Sequence, residues 1–290
     1  MDDYTISVVI AIKSKEKLKF PTIDVEGLKI GRSHPPRIMG ILNLSPESPY
    51  KPSIYTDLEK AVERVDCMVE NGADIIDIGL SSANKKIKPL TELEELSRFE
   101  LAIKIKDEID EGIILSVETR YSKVAEEALK EGWAMVNDIC GFADPNMPIV
   151  CDKYDAAVVK MAGSGDLNRP GDLGSVEEIY LELTHELTDK TIIDPAFGGW
   201  GKQKTLDLDV ETFRQLERFC ELSNPVLISI NRKNFLRRVV GKSTEDSLSV
   251  SLAATAIAID KGVSVIRTHD ISETYDAAMV GYVVANGTLE

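Results

Sequence analysis

The sequence predicts an α/β protein, a (β/α)8 TIM barrel with a short N-terminal β-hairpin extension. Short, nearly all-apolar runs recur along the 290 residues, each followed by a polar residue, a loop and an amphipathic stretch. Runs that are apolar throughout fit strands covered on both faces, as in parallel sheets. Eight such units in about 250 residues, with no glycine-rich nucleotide fingerprint, fit a closed barrel better than an open sheet.

The units follow in order. "RIMGILN" (37–43) precedes a helical pattern from Asp57, and "ADIIDIG" (73–79) precedes "TELEELSRFELAIKIKDEI". "IILSVET" (113–119) precedes "SKVAEEALKEG", and "AMVNDI" (134–139) precedes a weak helix near 146–154. "AAVVKM" (156–161) leads to "SVEEIYLELTHEL", and "KTIIDPA" (190–196) to "VETFRQLERFCEL". "PVLISIN" (225–231) leads to "TEDSLSVSLAATAIAIDKG", and "VSVIRTH" (263–269) to "SETYDAAMVGYVVANG". Thr91 with Glu94 and Ser175 with Glu178 read as capping boxes, in which hydroxyl and carboxylate each take an orphan N–H. Gly72, Gly132 and Gly262 stand where helices should stop. Residues 1–36 read as the hairpin extension, with "TISVVIAI" and "GLKI" as arms that close the barrel floor. Residues 37–290 read as the barrel.

Composition narrows the classes of function. Apolar residues make up 43% and charged residues 29%, an ordinary soluble balance. No apolar run approaches the roughly 18–20 residues that span a bilayer, and "MDDYTISVVIAIKSKEKLKF" lacks a secretory signal's basic start and cleavage site. A cytoplasmic location is expected. The net charge of −15 argues against nucleic acid or an anionic membrane as partner. Cys67, Cys140, Cys151 and Cys220 lie far apart and read as reduced thiols. None pairs with a histidine at zinc-ligand spacing.

In this fold chemistry sits at the C-terminal strand ends. Those ends offer Asn43, Asp77, Glu118, Asn137 with Asp138, Lys160, Asp194, Asn231 with Arg232 and Lys233, and Arg267 with His269 and Asp270. Polar residues often do no more than stop a strand. Eight of eight ends with mixed charge read instead as a pocket, since buried charge is costly unless paired. Glu118, Asn137 and Asp194 suit a flat heterocycle rich in N–H groups. Lys233, Arg267 and His269 form a cationic side suited to phosphate. In "DPAFGGWGK" (194–202) the glycines would let backbone approach a planar ligand, and Trp200 would either stack on it or serve as a rim aromatic.

Seven motifs then fall in order. "MGILNLSPES" (39–48) is similar to M-G-I-L-N-x-T-P-D-S, and "GADIIDIG" to the second-strand motif of the same family. "SVET" (116–119) stands where that family has S-x-D-T, and "VNDICG" (136–141) where it has I-N-D-x-x-G. "DPAFGGWGK" resembles D-P-G-I-G-F-G-K with one extra residue, "NRKNF" (231–235) resembles S-R-K-x-F, and "RTHD" (267–270) resembles R-V-H-D. Together they resemble the dihydropteroate synthases and the wider pterin-binding barrel superfamily, from about residue 37 to 285. The resemblance implies that Glu118, Asn137, Asp194 and Lys233 hold a reduced pterin, with Trp200 near the family's stacking phenylalanine. It implies that Asn43, Arg267 and His269 hold pyrophosphate, with Mg²⁺ at Asn43. Lys233, Arg267 and His269 would then be the catalytic set.

The departures lie on the side of the second substrate. The first loop is "ESPYKPSIY" (47–55) and the second "SSANKKIKP" (81–89), without the family's Thr-Arg pair. Asn231 replaces a serine, and Glu118 replaces an aspartate with about 1.5 Å more reach. Ser81, Ser82, Lys85 and Lys86 of the second loop, with Asn231, are the expected contacts to that substrate. Lys85, Lys86 and Lys88 either read an acidic or phosphorylated arylamine or form a solvated loop. The expected function is a transferase that displaces pyrophosphate from a hydroxymethyl-dihydropterin pyrophosphate by an arylamine other than plain p-aminobenzoate. The alternatives are a methyltransferase that uses a methyl-tetrahydropterin of folate or methanopterin type with a methyl acceptor such as a corrinoid protein, and a non-catalytic pterin binder. A Schiff-base aldolase using Lys160 or Lys233 fits the fold but not the motifs. "LSVSLAATAIAI" is apolar over most of its surface, which suggests a homodimer or simple burial.

Overall fold

Inward and outward residues alternate along each strand of a barrel, so every second side chain of each strand points into the interior. A computed structural model describes residues 21–47, 52, 54–82, 87–198 and 201–287. A hairpin of β1 (Ile23–Val25) and β2 (Leu28–Ile30) comes first. Then follow β3 (Arg37–Asn43), α1 (Leu58–Glu70), β4 (Ile75–Gly79), α2 (Glu92–Glu108), β5 (Ile114–Glu118), α3 (Ser122–Lys130), β6 (Met135–Asp138) and α4 (Met147–Lys153). The chain continues with β7 (Ala157–Met161), α5 (Val176–Glu182), β8 (Thr191–Asp194), α6 (Leu206–Arg214), α7 (Leu216–Cys220), β9 (Leu227–Ile228), α8 (Asn234–Val240), α9 (Leu248–Asp260), β10 (Val265–Thr268) and α10 (Ile271–Asn286).

β3 to β10 form one parallel sheet in the order β8-β7-β6-β5-β4-β3-β10-β9. The gap between β8 and β9 is crossed by a bridge from Ile193 to Val226 and by Ile193 N–H donating to Pro225 O at 2.9 Å. The cylinder is therefore nearly closed, with helices between successive strands, as the sequence predicts.

The hairpin differs in detail. "GLKI" forms an arm as expected, but it pairs with Ile23–Val25, and "TISVVIAI" lies outside the described residues. Glu26 and Gly27 turn the chain at φ 50 and 88, the double left-handed geometry of a tight hairpin turn. Its apolar side plugs the floor. Ile23, Val25 and Ile30 pack with Met39, Ile75, Ile114, Met135, Ala157, Ile192, Leu227 and Val265. Those last eight come one from each barrel strand, all at the same inward parity. Each large aliphatic in such a plug contributes about 1.5–3 kcal/mol by burial.

The outward residues of the strands, such as Leu42, Ile76, Val117, Val136, Val158, Ile193, Ile228 and Ile266, form the second core beneath the helices. Helix ends follow the expected chemistry. Thr91 and Glu94 make a full capping box. Ser175 accepts from Glu178 N–H, but the Glu178 carboxylate reaches Gly174 N–H instead of the cap residue. Gly72, Gly132 and Gly262 end their helices at φ 97, 88 and 106. The helix expected over 210–222 begins at Leu206 and breaks at Gln215 into α6 and α7. α8 was not read from the sequence; it ends on Gly241 at φ 66. Among the described residues no helix is long and apolar enough to cross a membrane.

Candidate active site

Two residues above the plug, the same inward parity yields Ile41, Asp77, Ser116, Asn137, Val159, Asp194, Ser229 and Arg267. The interior turns polar at this level, with Ile41 and Val159 keeping two apolar places. Asp77, wholly buried, is the hub of this level. It accepts from Ser116 Oγ at 2.7 Å, from Asn137 Nδ2 at 2.9 Å and from Arg267 Nε at 2.7 Å. Two residues higher still come Asn43, Gly79, Glu118, Met161, Asn231 and His269. Glu118 Oε2 accepts from Arg267 Nη2 at 2.6 Å. The added methylene of Glu118 thus ends in an ion pair with the guanidinium from across the barrel.

Gly79 pairs with both Asn43 and Glu118. A Cβ there would lie 2.8 Å from Asn43 Oδ1, so glycine is what lets the Asn43 side chain lie across β4. Asp194, at the end of β8, accepts from Ala196 N–H at 2.8 Å. Ala196 has φ 60, a left-handed turn that folds its N–H back onto the carboxylate.

Burial dominates the electrostatics of this end. It pushes the Asp194 carboxyl up to about 6, against the pull of Lys233 and Arg267. It raises Glu118 against the pull of Arg267, and with Arg267 beside it lowers Lys233. Burial and then the Arg267 charge bring His269 down to about 3, so its imidazole is neutral across the physiological range.

Beside this network opens a cavity of about 520 Å³, lined in part by Asn231, Arg232, Lys233, Thr244, Arg267 and His269. Arg232, at φ 54, braces its wall. Its Nε and Nη2 donate to the two oxygens of Asp270 at 2.8 and 3.0 Å. Its Nη1 donates to Thr244 O and Glu245 O. Asn231 Nδ2 also donates to Asp270 Oδ2 at 2.9 Å. Burial would raise Asp270, but the bonds from Arg232 and Asn231 hold it below the usual carboxylate value.

The structure therefore brings Asn43, Glu118, Asn137, Asp194, Asn231, Lys233, Arg267 and His269 to one mouth. It does not bring Lys160 or Asp138. Both have outward parity: Lys160 Nζ donates to Glu182 O and His185 O and pairs with Glu182. Asp138 accepts from Cys140 and Phe142 N–H. Lys160 is thus no Schiff-base candidate. Ser81 and Ser82 are buried, and Leu90 N–H reaches Ser81 Oγ at 3.5 Å. Trp200, Lys85 and Lys86 lie outside the described residues. Lys88 is exposed.

Sequence reasoning placed Asp77 at a strand end but gave it no role. Its signal was a carboxylate at inward parity in "IIDIG". It also missed Arg98, whose Nη1 ties Leu80 O at 2.7 Å and Glu47 at 2.8 Å, joining the first two barrel loops.

A parallel barrel whose mouth gathers buried carboxylates, an amide and several cations defines a small-molecule-binding barrel protein with a mixed-charge site. The chain belongs to the pterin-binding enzyme family, whose sequence model matches residues 39–269. It is 34% identical over 250 residues to a dihydropteroate synthase of Clostridium beijerinckii, covering 83% of this chain and 91% of that one. It is 32% identical over 260 residues to a probable bifunctional folylpolyglutamate synthase/dihydropteroate synthase of Halobacterium salinarum, which covers 86% of this chain but only 32% of that protein. In structure it is similar to a dihydropteroate synthase of Coxiella burnetii solved in complex with pteroic acid. The TM-score is 0.79 at 26% identity, with 92% of this chain and 100% of that one covered.

Proposed function

We propose that this chain is a transferase that joins an arylamine to the methylene carbon of a hydroxymethyl-dihydropterin pyrophosphate, and that the amine is not plain p-aminobenzoate. The observation that carries this reading is the mouth itself. Buried carboxylates and an amide converge on Arg267, beside a cavity of about 520 Å³ lined by Asn231, Lys233, Arg267 and His269. Relatives and structural neighbours named dihydropteroate synthase support it.

Asp194, Asn137 and Glu118 accept from and donate to the pterin edge, and Lys233 donates to its ring acceptors. The amine nitrogen attacks the methylene carbon, the carbon–oxygen bond breaks, its electron pair leaves with pyrophosphate, and the alkylated nitrogen releases one proton to solvent. Asp77 and Glu118 fix the plane of the Arg267 guanidinium through Nε and Nη2, and Nη1 serves the departing anion. Neutral His269 supplies a hydrogen bond there without charge. Fixed donors aimed at developing charge are the larger part of such catalysis. Among the described residues no group of three or more His, Cys, Asp or Glu forms a metal cage. Asn43 offers one neutral oxygen, which fits Mg²⁺ held chiefly by pyrophosphate and water. When bound, the ion would neutralise leaving-group charge.

The altered second-substrate side supports a different amine. Asn231 is committed to Asp270, so it meets a carboxylate differently from a free serine hydroxyl. The test is pyrophosphate release from the pterin pyrophosphate with a panel of arylamines, from p-aminobenzoate to amines with larger acidic tails. Turnover is expected with the latter. Methyl transfer from methyl-tetrahydropterin without pyrophosphate release, or pterin binding without turnover, would overturn the reading. Asp194→Ala should abolish pterin binding. In the intact protein binding should weaken as pH falls through about 6, because the carboxylate loses the charge that receives the ring N–H groups.

A further inference from the structure

Behind the mouth lies a second pair of opposite charges, Lys204 and Asp209, with no part in the constellation above. Their side chains are both fully buried, with Nζ 3.6 Å from Oδ1. Burial lowers Lys204 and raises Asp209, so each is driven toward its neutral form. A dry ion pair of this kind is no better for stability than apolar residues of the same size, although breaking it is costly. Its stability alone does not explain it.

Its contacts do. Lys204 Nζ donates to Pro195 O at 3.3 Å. Both carboxylate oxygens of Asp209 face Gly198 N–H, at 3.2 and 3.3 Å. Pro195 and Gly198 bracket the turn that follows Asp194, in which Ala196 hands its N–H to the Asp194 carboxylate. Between them Phe197 stacks on Phe235, centroids 5.4 Å apart and planes 19° from parallel, and Phe235 lies two residues beyond Lys233. Lys202 ends the "DPAFGGWGK" motif but is exposed, and Lys204 is the buried lysine of this loop.

We propose that Lys204 and Asp209 are the positioning pair of this site: by pinning Pro195 and Gly198 they aim Asp194, and through Phe197 and Phe235 they seat the start of α8 that carries Lys233. The inference rests on the reading of Asp194 and Lys233 as ring-binding residues. The charges add a second link. Asp194 feels Lys233, Arg267 and Lys204, and Lys233 feels Arg267, Asp194, Asp209 and Glu118. The inner pair therefore sets a cation behind the acid and an anion behind the base.

The test uses the full chain with Lys204→Met, Asp209→Asn and Lys204→Arg. Carboxyl ¹³C NMR follows the Asp194 titration without ligand, its signal assigned by loss in Asp194→Asn. Calorimetry follows affinity for hydroxymethyl-dihydropterin pyrophosphate from pH 5 to 8. Removing the Lys204 cation should move the Asp194 midpoint up, and Asp209→Asn, which leaves Lys204 buried without its counter-charge, should move it the same way by less. Lys204→Met should lose about a hundredfold in affinity at pH 7, the scale of a small misplacement of a binding group, and Lys204→Arg should recover most of it. Should Lys204→Met not fold, Asp209→Asn still gives the upward shift, and Lys204→Arg an affinity near the parent's. Stability losses with an unmoved Asp194 midpoint would overturn the proposal. Upward midpoint shifts in a protein that does not bind the pterin compound would support the pair and sink the functional reading instead.

Discussion

Replacing Asp77 is the sharpest test of the interior network. The carboxylate receives Ser116 on Oδ1, and Asn137 with Arg267 on Oδ2. In Asp77→Asn the amide oxygen takes the Oδ2 place, because an NH₂ there would face two donors. The new NH₂ then faces Ser116, whose hydroxyl rotates from donor to acceptor. All three hydrogen bonds survive, and what is lost is charge assistance, chiefly that to Arg267, with Glu118 still paired to it. That costs about 2 kcal/mol. In Asp77→Ala three buried donors lose their acceptor. Two neutral ones at about 1 kcal/mol each and one charged one at about 2–3 kcal/mol give about 4–5 kcal/mol. Urea unfolding checks this, read as a fall in midpoint at constant slope. Equal costs for the two variants, or both below about 1 kcal/mol, would refute the hub.

Other consequences are open to measurement. Burial raises the Glu95 carboxyl to about 7, although Thr119 Oγ1 donates to it at 2.6 Å. The native state therefore holds an extra proton between the ordinary carboxylate value and about 7, and stability falls as pH rises through that window. Glu95→Gln should be more stable than the parent by about 3 kcal/mol at pH 8 and nearly equal at pH 4; unfolding at the two pH values decides. Gly79→Ala should push Asn43 out of place and weaken binding of the pterin pyrophosphate more than binding of the bare pterin, measured by calorimetry with each. His269→Gln should lower the rate without altering the shape of the pH–rate profile between pH 5 and 8, since His269 is neutral throughout that range. Ile257 of α9 and Val280 and Val284 of α10 are exposed; sedimentation should show a homodimer that Val284→Asp dissociates.

The barrel was legible because its signal is repetitive. Each apolar run, such as "TIID" or "RIMGILN", carries its own evidence for a strand buried on both faces. The site was legible less evenly. Glu118, Asn137, Asp194 and Arg267 end short strands and share an inward parity with the floor residues, so their convergence follows once the strands are placed. Lys160 and Asp138 also lie at strand ends, and only register shows that they face the helices. A shift of one residue changes the face completely. Lys204 was hidden for another reason. The loop after β8 is irregular, and no periodicity distinguishes it from Lys202. Asp172 also fills the space a Cβ of residue 201 would need, which explains one of the glycines in "GGWG" through a loop from elsewhere in the chain. Contacts of that kind leave no local pattern.

The plug beneath the polar levels also governs traffic. Among the described residues the hairpin stoppers the floor, so for the reaction proposed here the ring that enters deepest must arrive before the amine that lies above it. Arrival of the two reactants would then be ordered, ring before amine, and initial-rate kinetics would carry that signature without any moving gate.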